Sequence, residues 1–189
     1  MIYKLRADRA KYLNFDIDAY AIEVNLGDYF LLDQPQWSGF WKPLDATFFD
    51  DSDDHRASLV PDITVWGTLN CLALNKKAYN ALRDVLVNCG EFLPVVCESV
   101  PYWVFHSTMR LGLEYVDMRL SDRSIEENGF IETKSLVFHE QSLANEHVFQ
   151  TEFNNYRNMY CTENFKSLVN SLGLTGLRFS DDLASVSEP

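Results

Sequence analysis

The residues with the chemistry to act are carboxylates, four histidines and four cysteines, and their spacing decides what each group could do. His139-Glu140-Gln141-Ser142-Leu143 opens like a zinc-protease helix. Leu143 stands where the second imidazole must lie one turn on, so two ligands cannot converge, and His147 is too far along to replace it. Asp51, Asp53, His55 and Asp62 fall at the first, third, fifth and twelfth positions of a calcium loop. Arg56 occupies the place of the turning glycine, and Pro61 stiffens the chain before the last ligand, so a solvated acidic loop is expected instead. Cys97 and His106 remain a pair that folding could bring together, although no cysteine sits in a recognised nucleophile motif. Carboxylates are so numerous that proximity between two of them would by itself indicate no acid/base site. No GxGxxG, P-loop or GxSxG motif occurs. The expectation is therefore no catalytic residue, no metal and no cofactor.

Two further features suit binding. Trp37, Phe40 and Trp41 cluster between Pro35 and Pro43, with Phe48 and Phe49 shortly after. Trp41, in Trp-Lys-Pro-Leu, reads as packing at the start of a strand, whereas Trp37 is equally consistent with core packing or with an exposed hot spot. The run Asp50-Asp51-Ser52-Asp53-Asp54 places four carboxylates within five residues. They cannot be buried together without large desolvation and repulsion costs, so the loop is expected to face water and carry a negative field. Asp50, Asp51, Asp53, Asp54, Trp37 and the Glu126-Glu127 turn are accordingly the candidate partner-binding residues.

The elements that position these groups follow from a chain of 189 residues, 47% of them hydrophobic and 14% aromatic, enough for one sizeable core. Sixteen basic residues against 28 acidic ones give a net charge of −12, which repels nucleic acid and anionic membranes and favours a basic partner. The N-terminus lacks the apolar run of a secretory signal, no stretch approaches a membrane span, and the dispersed cysteines read as reduced thiols of a cytoplasmic protein. Asn75 caps a helix running to Cys89, with Ala78, Leu82, Val85 and Leu86 on its buried stripe and Gly90 as the left-handed stop. A second helix starts after Thr162 and ends at Leu172 before Gly173. Strands are expected over residues 2–5, 20–24, 44–49, 102–105, 132–138, 148–153 and 177–179. Strands that outnumber helices without regular alternation indicate an α+β fold, mainly antiparallel, over residues 1–180, with 181–189 as an acidic flexible tail.

Several segments, in order, resemble one family: Trp41-Lys42-Pro43-Leu44, Pro61-Asp62-Ile63, the helix from Asn75 leading into Gly90-Glu91-Phe92-Leu93-Pro94, Tyr102-Trp103-Val104-Phe105-His106, Lys134-Ser135-Leu136-Val137-Phe138, and Gly173-Leu174-Thr175-Gly176-Leu177-Arg178-Phe179. Together they look like immunity family eleven of bacterial polymorphic-toxin systems, across roughly residues 40–180. The sequence departs from that pattern at His106-Ser107-Thr108 and at Leu113-Glu114-Tyr115-Val116-Asp117, and matches it less clearly before residue 40. The resemblance implies an immunity protein that binds and neutralises a cognate toxin, with no catalytic residue. The alternative is a small-molecule-binding domain or small enzyme with an aromatic pocket formed by Trp37, Trp41 and Trp103.

Overall fold

The computed structural model describes residues 1–27, 36–52, 56–127 and 129–185. In chain order the elements are β1 (Ile2–Ala7), β2 (Asn14–Ile17), α1 (Ala19–Leu26), β3 (Leu44–Phe49), β4 (Ile63–Trp66), β5 (Cys71–Leu74), α2 (Lys76–Leu86), β6 (Gly90–Cys97), β7 (Val100–Ser107) and β8 (Arg110–Leu111). They continue with β9 (Asp122–Ile125), β10 (Ile131–Ser135), β11 (Val148–Thr151), β12 (Tyr160–Thr162), α3 (Glu163–Ser171) and β13 (Leu177–Ser180). A six-stranded sheet runs β2-β3-β6-β7-β5-β4, a five-stranded sheet runs β13-β1-β12-β11-β8, and β9 and β10 form a separate hairpin. Pairing is antiparallel except for β3 with β6 and β8 with β11. The protein is thus α+β, dominated by sheet.

Alternation along the strands divides the interior into three cores. Tyr3 and Leu5 of β1, Leu72 and Leu74 of β5, and Phe105 of β7 meet Leu82 and Leu86 of α2 and Phe165 and Val169 of α3 in the first. The opposite face of the six-stranded sheet supplies Leu93, Val95 and Val104, which α1 and Trp37 cover. On the other side of the five-stranded sheet, Ile2, Phe149 and Tyr160 pack with Phe138 and Phe153.

α2 shows how local sequence and packing cooperate. The Asn75 side-chain Oδ1 accepts from Ala78 N at 2.9 Å, satisfying one of the helix's orphan donors, while its Nδ2 donates to Asp62 Oδ1 at 2.9 Å. Asn75→Ala removes both bonds and should cost about 1–2 kcal/mol, whereas Asn75→Ser, which keeps a cap, should lose less. Urea unfolding checks this, and equal stability of N75A and wild type would refute it. Gly90, however, does not stop α2 in a left-handed conformation: the helix ends at Leu86, with Val87 as its right-handed cap, and Gly90 opens β6. A Cβ there would lie 2.2 Å from the His106 carbonyl and 2.7 Å from the Phe105 ring, so glycine is needed for close strand approach. α3 does stop at a left-handed glycine, Gly173, with φ of +57°. Its cap residue Thr162 instead donates its hydroxyl to Glu146 O.

Residues 20–24 are helical rather than extended, because Asp18 caps Ala21 N and Ile22 and Leu26 bury one face at helical spacing. Tyr20 and Val24, the residues that suggested a strand, are exposed. Of the expected strand over 132–138, β10 ends at Ser135, and in 148–153 the chain turns into a short 3-10 helix from Glu152. Asp182 Oδ1 accepts from Ala184 N and Ser185 N, and Leu183 O accepts from the Tyr160 hydroxyl, so residues 181–185 are docked on the sheet.

Candidate functional site

The sequence candidates scatter. Trp37 is 1% exposed and belongs to the core, which removes it as a surface anchor. Its ring stacks on His106 with centroids 3.7 Å apart and lies nearly parallel to Trp41, whose Nε1 donates to Pro94 O. Trp103 projects from the opposite face of β7, where it stacks on Tyr79 of α2, so the three tryptophans line no common pocket. Cys97 and His106 are also apart. Cys97 pairs with Val100 and His106 with Glu91, six residues along the ladder, about 20 Å at strand rise. All four cysteines are free and buried, and burial raises the pKa of the Cys71 and Cys161 thiols. Asp62 is consumed by Asn75, Lys77 and Thr175, and no cluster of three or more metal-ligating side chains occurs among the described residues.

In the acidic loop, Asp53, Asp54 and His55 lie outside the described residues. Asp50 accepts from Ser52 N, and Asp51 is bound by Arg9 Nη1 at 3.0 Å. The loop therefore does not present four unopposed charges. Glu126 and Glu127 occupy the exposed turn between β9 and β10, where Glu126 N donates to Phe130 O.

Two clusters of titratable groups are built into the fold. In the first, Glu91 Oε1 accepts from Trp37 N and lies 2.9 Å from His106 Nδ1, while Oε2 accepts from Ser38 N at 3.0 Å. Burial alone would raise the Glu91 pKa, but the bonds from His106, Trp37 and Ser38 outweigh it and hold the carboxyl below its ordinary value. An ionised carboxylate only accepts, so His106 Nδ1 carries a proton toward it. With His106 buried under Trp37, this His-carboxylate pair fixes the 36–41 segment to the sheet.

The second cluster was not anticipated. A cleft of about 900 Å³ opens beside β1 and is lined by Lys4, Arg6, Arg9, Arg157 and Arg178. Residues 4 and 6 share one face of β1, and Arg6 stands directly opposite Arg178 of β13 in the antiparallel register. Lys4 and Arg6 are 5% and 8% exposed. Both donate to one neutral acceptor, the Ser185 carbonyl. Burial, reinforced by the Arg6 charge, lowers the Lys4 pKa to about 8, against the opposing pull of Asp182. Asp51 and the β9–β10 hairpin, through Phe130 and Ile131, form part of its rim, so one of the acidic candidates lines a pocket of the opposite sign. The local signal was the alternation Lys4-Leu5-Arg6, but its third cation lies at the far end of the chain.

Several of the segments that carry the family resemblance meet one another in space. Asp62 ties Asn75, Lys77 and Thr175 together, Trp41 is bonded to Pro94, and a Cβ on Gly176 would lie 2.3 Å from Pro61 Cβ. They form a framework that holds helices to sheet. No helix among the described residues is long and apolar enough to cross a membrane. Compared with known proteins, the chain matches no family model and no curated protein.

Proposed function

We propose that this chain is an immunity protein, cytoplasmic and non-catalytic, that neutralises a cognate bacterial toxin by stoichiometric association. The observation that carries the reading is that the His-carboxylate pair, the best-bonded aspartate and the thiols are used to hold the fold together. Glu91 and His106 secure a core segment, Asp62 clamps three elements, and the four thiols are interior. The framework formed by the resembling segments supports it as well, because a family that shares a scaffold and differs in partner keeps its recognition residues on the surface around it. The net charge of −12 favours a toxin with a basic surface through electrostatic steering.

The direct test is co-expression with a toxin domain encoded beside this chain. Growth should be rescued and a one-to-one complex should co-purify; full toxicity with no complex would overturn the reading. Within such a complex, changing Asp50, Asp51, Asp53 and Asp54 to asparagine should slow association several-fold and flatten its salt dependence, with little effect on dissociation. Stopped-flow binding across a salt series measures this. An unchanged association rate would exclude the loop and move the interface toward Glu126 and Glu127.

A further inference from the structure

The cationic cleft sets like charges against one another in a way that the fold does not require. Arg6 and Arg178 are direct cross-strand neighbours, an arrangement that costs stability when both carry the same charge. Lys4 and Arg6 are nearly fully buried, and their shared hydrogen-bond acceptor carries no net charge. Within two hydrogen-bond lengths of each other, the two cationic heads share one carbonyl acceptor among the described residues. Arg6 Nε is buried with no hydrogen-bond partner among the described residues, and so is Arg9 Nε at the rim. Arg157 adds a further positive charge over the Phe130 ring at 4.7 Å. Asp182, whose charge acts on both Lys4 and Arg6, spends Oδ1 on the turn that places Ser185 over them. Buried charge of this kind persists where something of the opposite sign compensates it.

We propose that this cleft binds a phosphate-bearing small molecule with two or more negative charges, seated on Lys4, Arg6 and Arg178, in the position now taken by the Ser185 carbonyl. A tetrahedral phosphate presents oxygens in three directions and can meet Lys4 and both guanidinium groups at once, whereas a planar carboxylate fits one guanidinium fork. The cleft volume of about 900 Å³ accommodates a ligand of nucleotide size. A polynucleotide is disfavoured, because a chain of net charge −12 repels an extended phosphate backbone, while a small anion responds to the local field. This site stands independently of toxin neutralisation.

Isothermal titration of the full chain with inorganic pyrophosphate, ADP, citrate and a short single-stranded oligonucleotide tests it. Pyrophosphate or ADP should bind one-to-one and weaken with salt, with citrate and the oligonucleotide at least about tenfold weaker. Arg178→Gln should lower the affinity roughly tenfold. Asp182→Asn, which keeps the turn's acceptor and removes its charge, should raise it; if R178Q does not fold, this opposite-signed change decides the matter. The proposal is overturned if neither pyrophosphate nor ADP binds at millimolar concentration, if citrate or the oligonucleotide binds as tightly, or if folded R178Q or D182N leaves the affinity unchanged.

Discussion

Replacing Glu91 with alanine should lower the unfolding free energy by about 3–5 kcal/mol, the range seen when one member of a buried charged network is removed. The carboxylate is the acceptor for Trp37 N, Ser38 N and His106 Nδ1, and truncation leaves the buried Trp37 and His106 donors without their acceptor, while the exposed Ser38 N can turn to water. The 36–41 segment should loosen first, since Glu91 holds its leading end to β6, and the Trp37 ring should lose its stacking on His106. Glu91→Gln keeps one acceptor oxygen and should lose less. The carboxyl is held below its ordinary pKa, so its share of stability is present at neutral pH and is lost as pH falls from the unfolded carboxylate range through the lower folded value. Denaturant unfolding between pH 3 and 7, followed by tryptophan fluorescence, reads both effects. An alanine variant as stable as wild type at pH 7 would show that the network contributes nothing.

Leu82→Ala should be comparably severe, about 2–5 kcal/mol, for a different reason. Leu82 is fully buried on α2, in the core where β5 and β7 meet α3. Removing three carbons there leaves a cavity between elements that are anchored separately, which limits collapse. Asp84, exposed on the same helix, provides the control, and its alanine variant should stay within about 0.5 kcal/mol of wild type. If L82A and D84A unfold at the same denaturant concentration, α2 does not bury the stripe described above.

Local signals located α2 and α3 because each carries its own information. Asn75 with a stripe at helical spacing, and the chain running from Thr162 to Gly173, specify helices without reference to distant residues. β3 was legible in the same way, as a short aromatic and β-branched run. α1 was misread because eight residues hold only two buried positions, and its exposed Tyr20 and Val24 have strand propensity. Gly90 illustrates the limit more sharply. A glycine following a helix is a stop signal locally, but here the opposing strand sets the requirement by approaching to within a Cβ's radius.

Composition and local period by themselves determined a sheet-rich α+β chain with two amphipathic helices and an acidic net charge. Strand register and the destination of each charged side chain were decided by the tertiary structure. Trp37 became core because Glu91, 54 residues away, binds its amide. Asp51 became the rim of a cationic cleft because Arg9 reaches it. The cleft itself exists only because β1 pairs with β13, which brings Lys4 and Arg6 beside Arg178. Helical order is set by bonds between near neighbours, whereas a sheet joins residues from the two ends of the chain, and the sign of the field they make together appears only when they are paired.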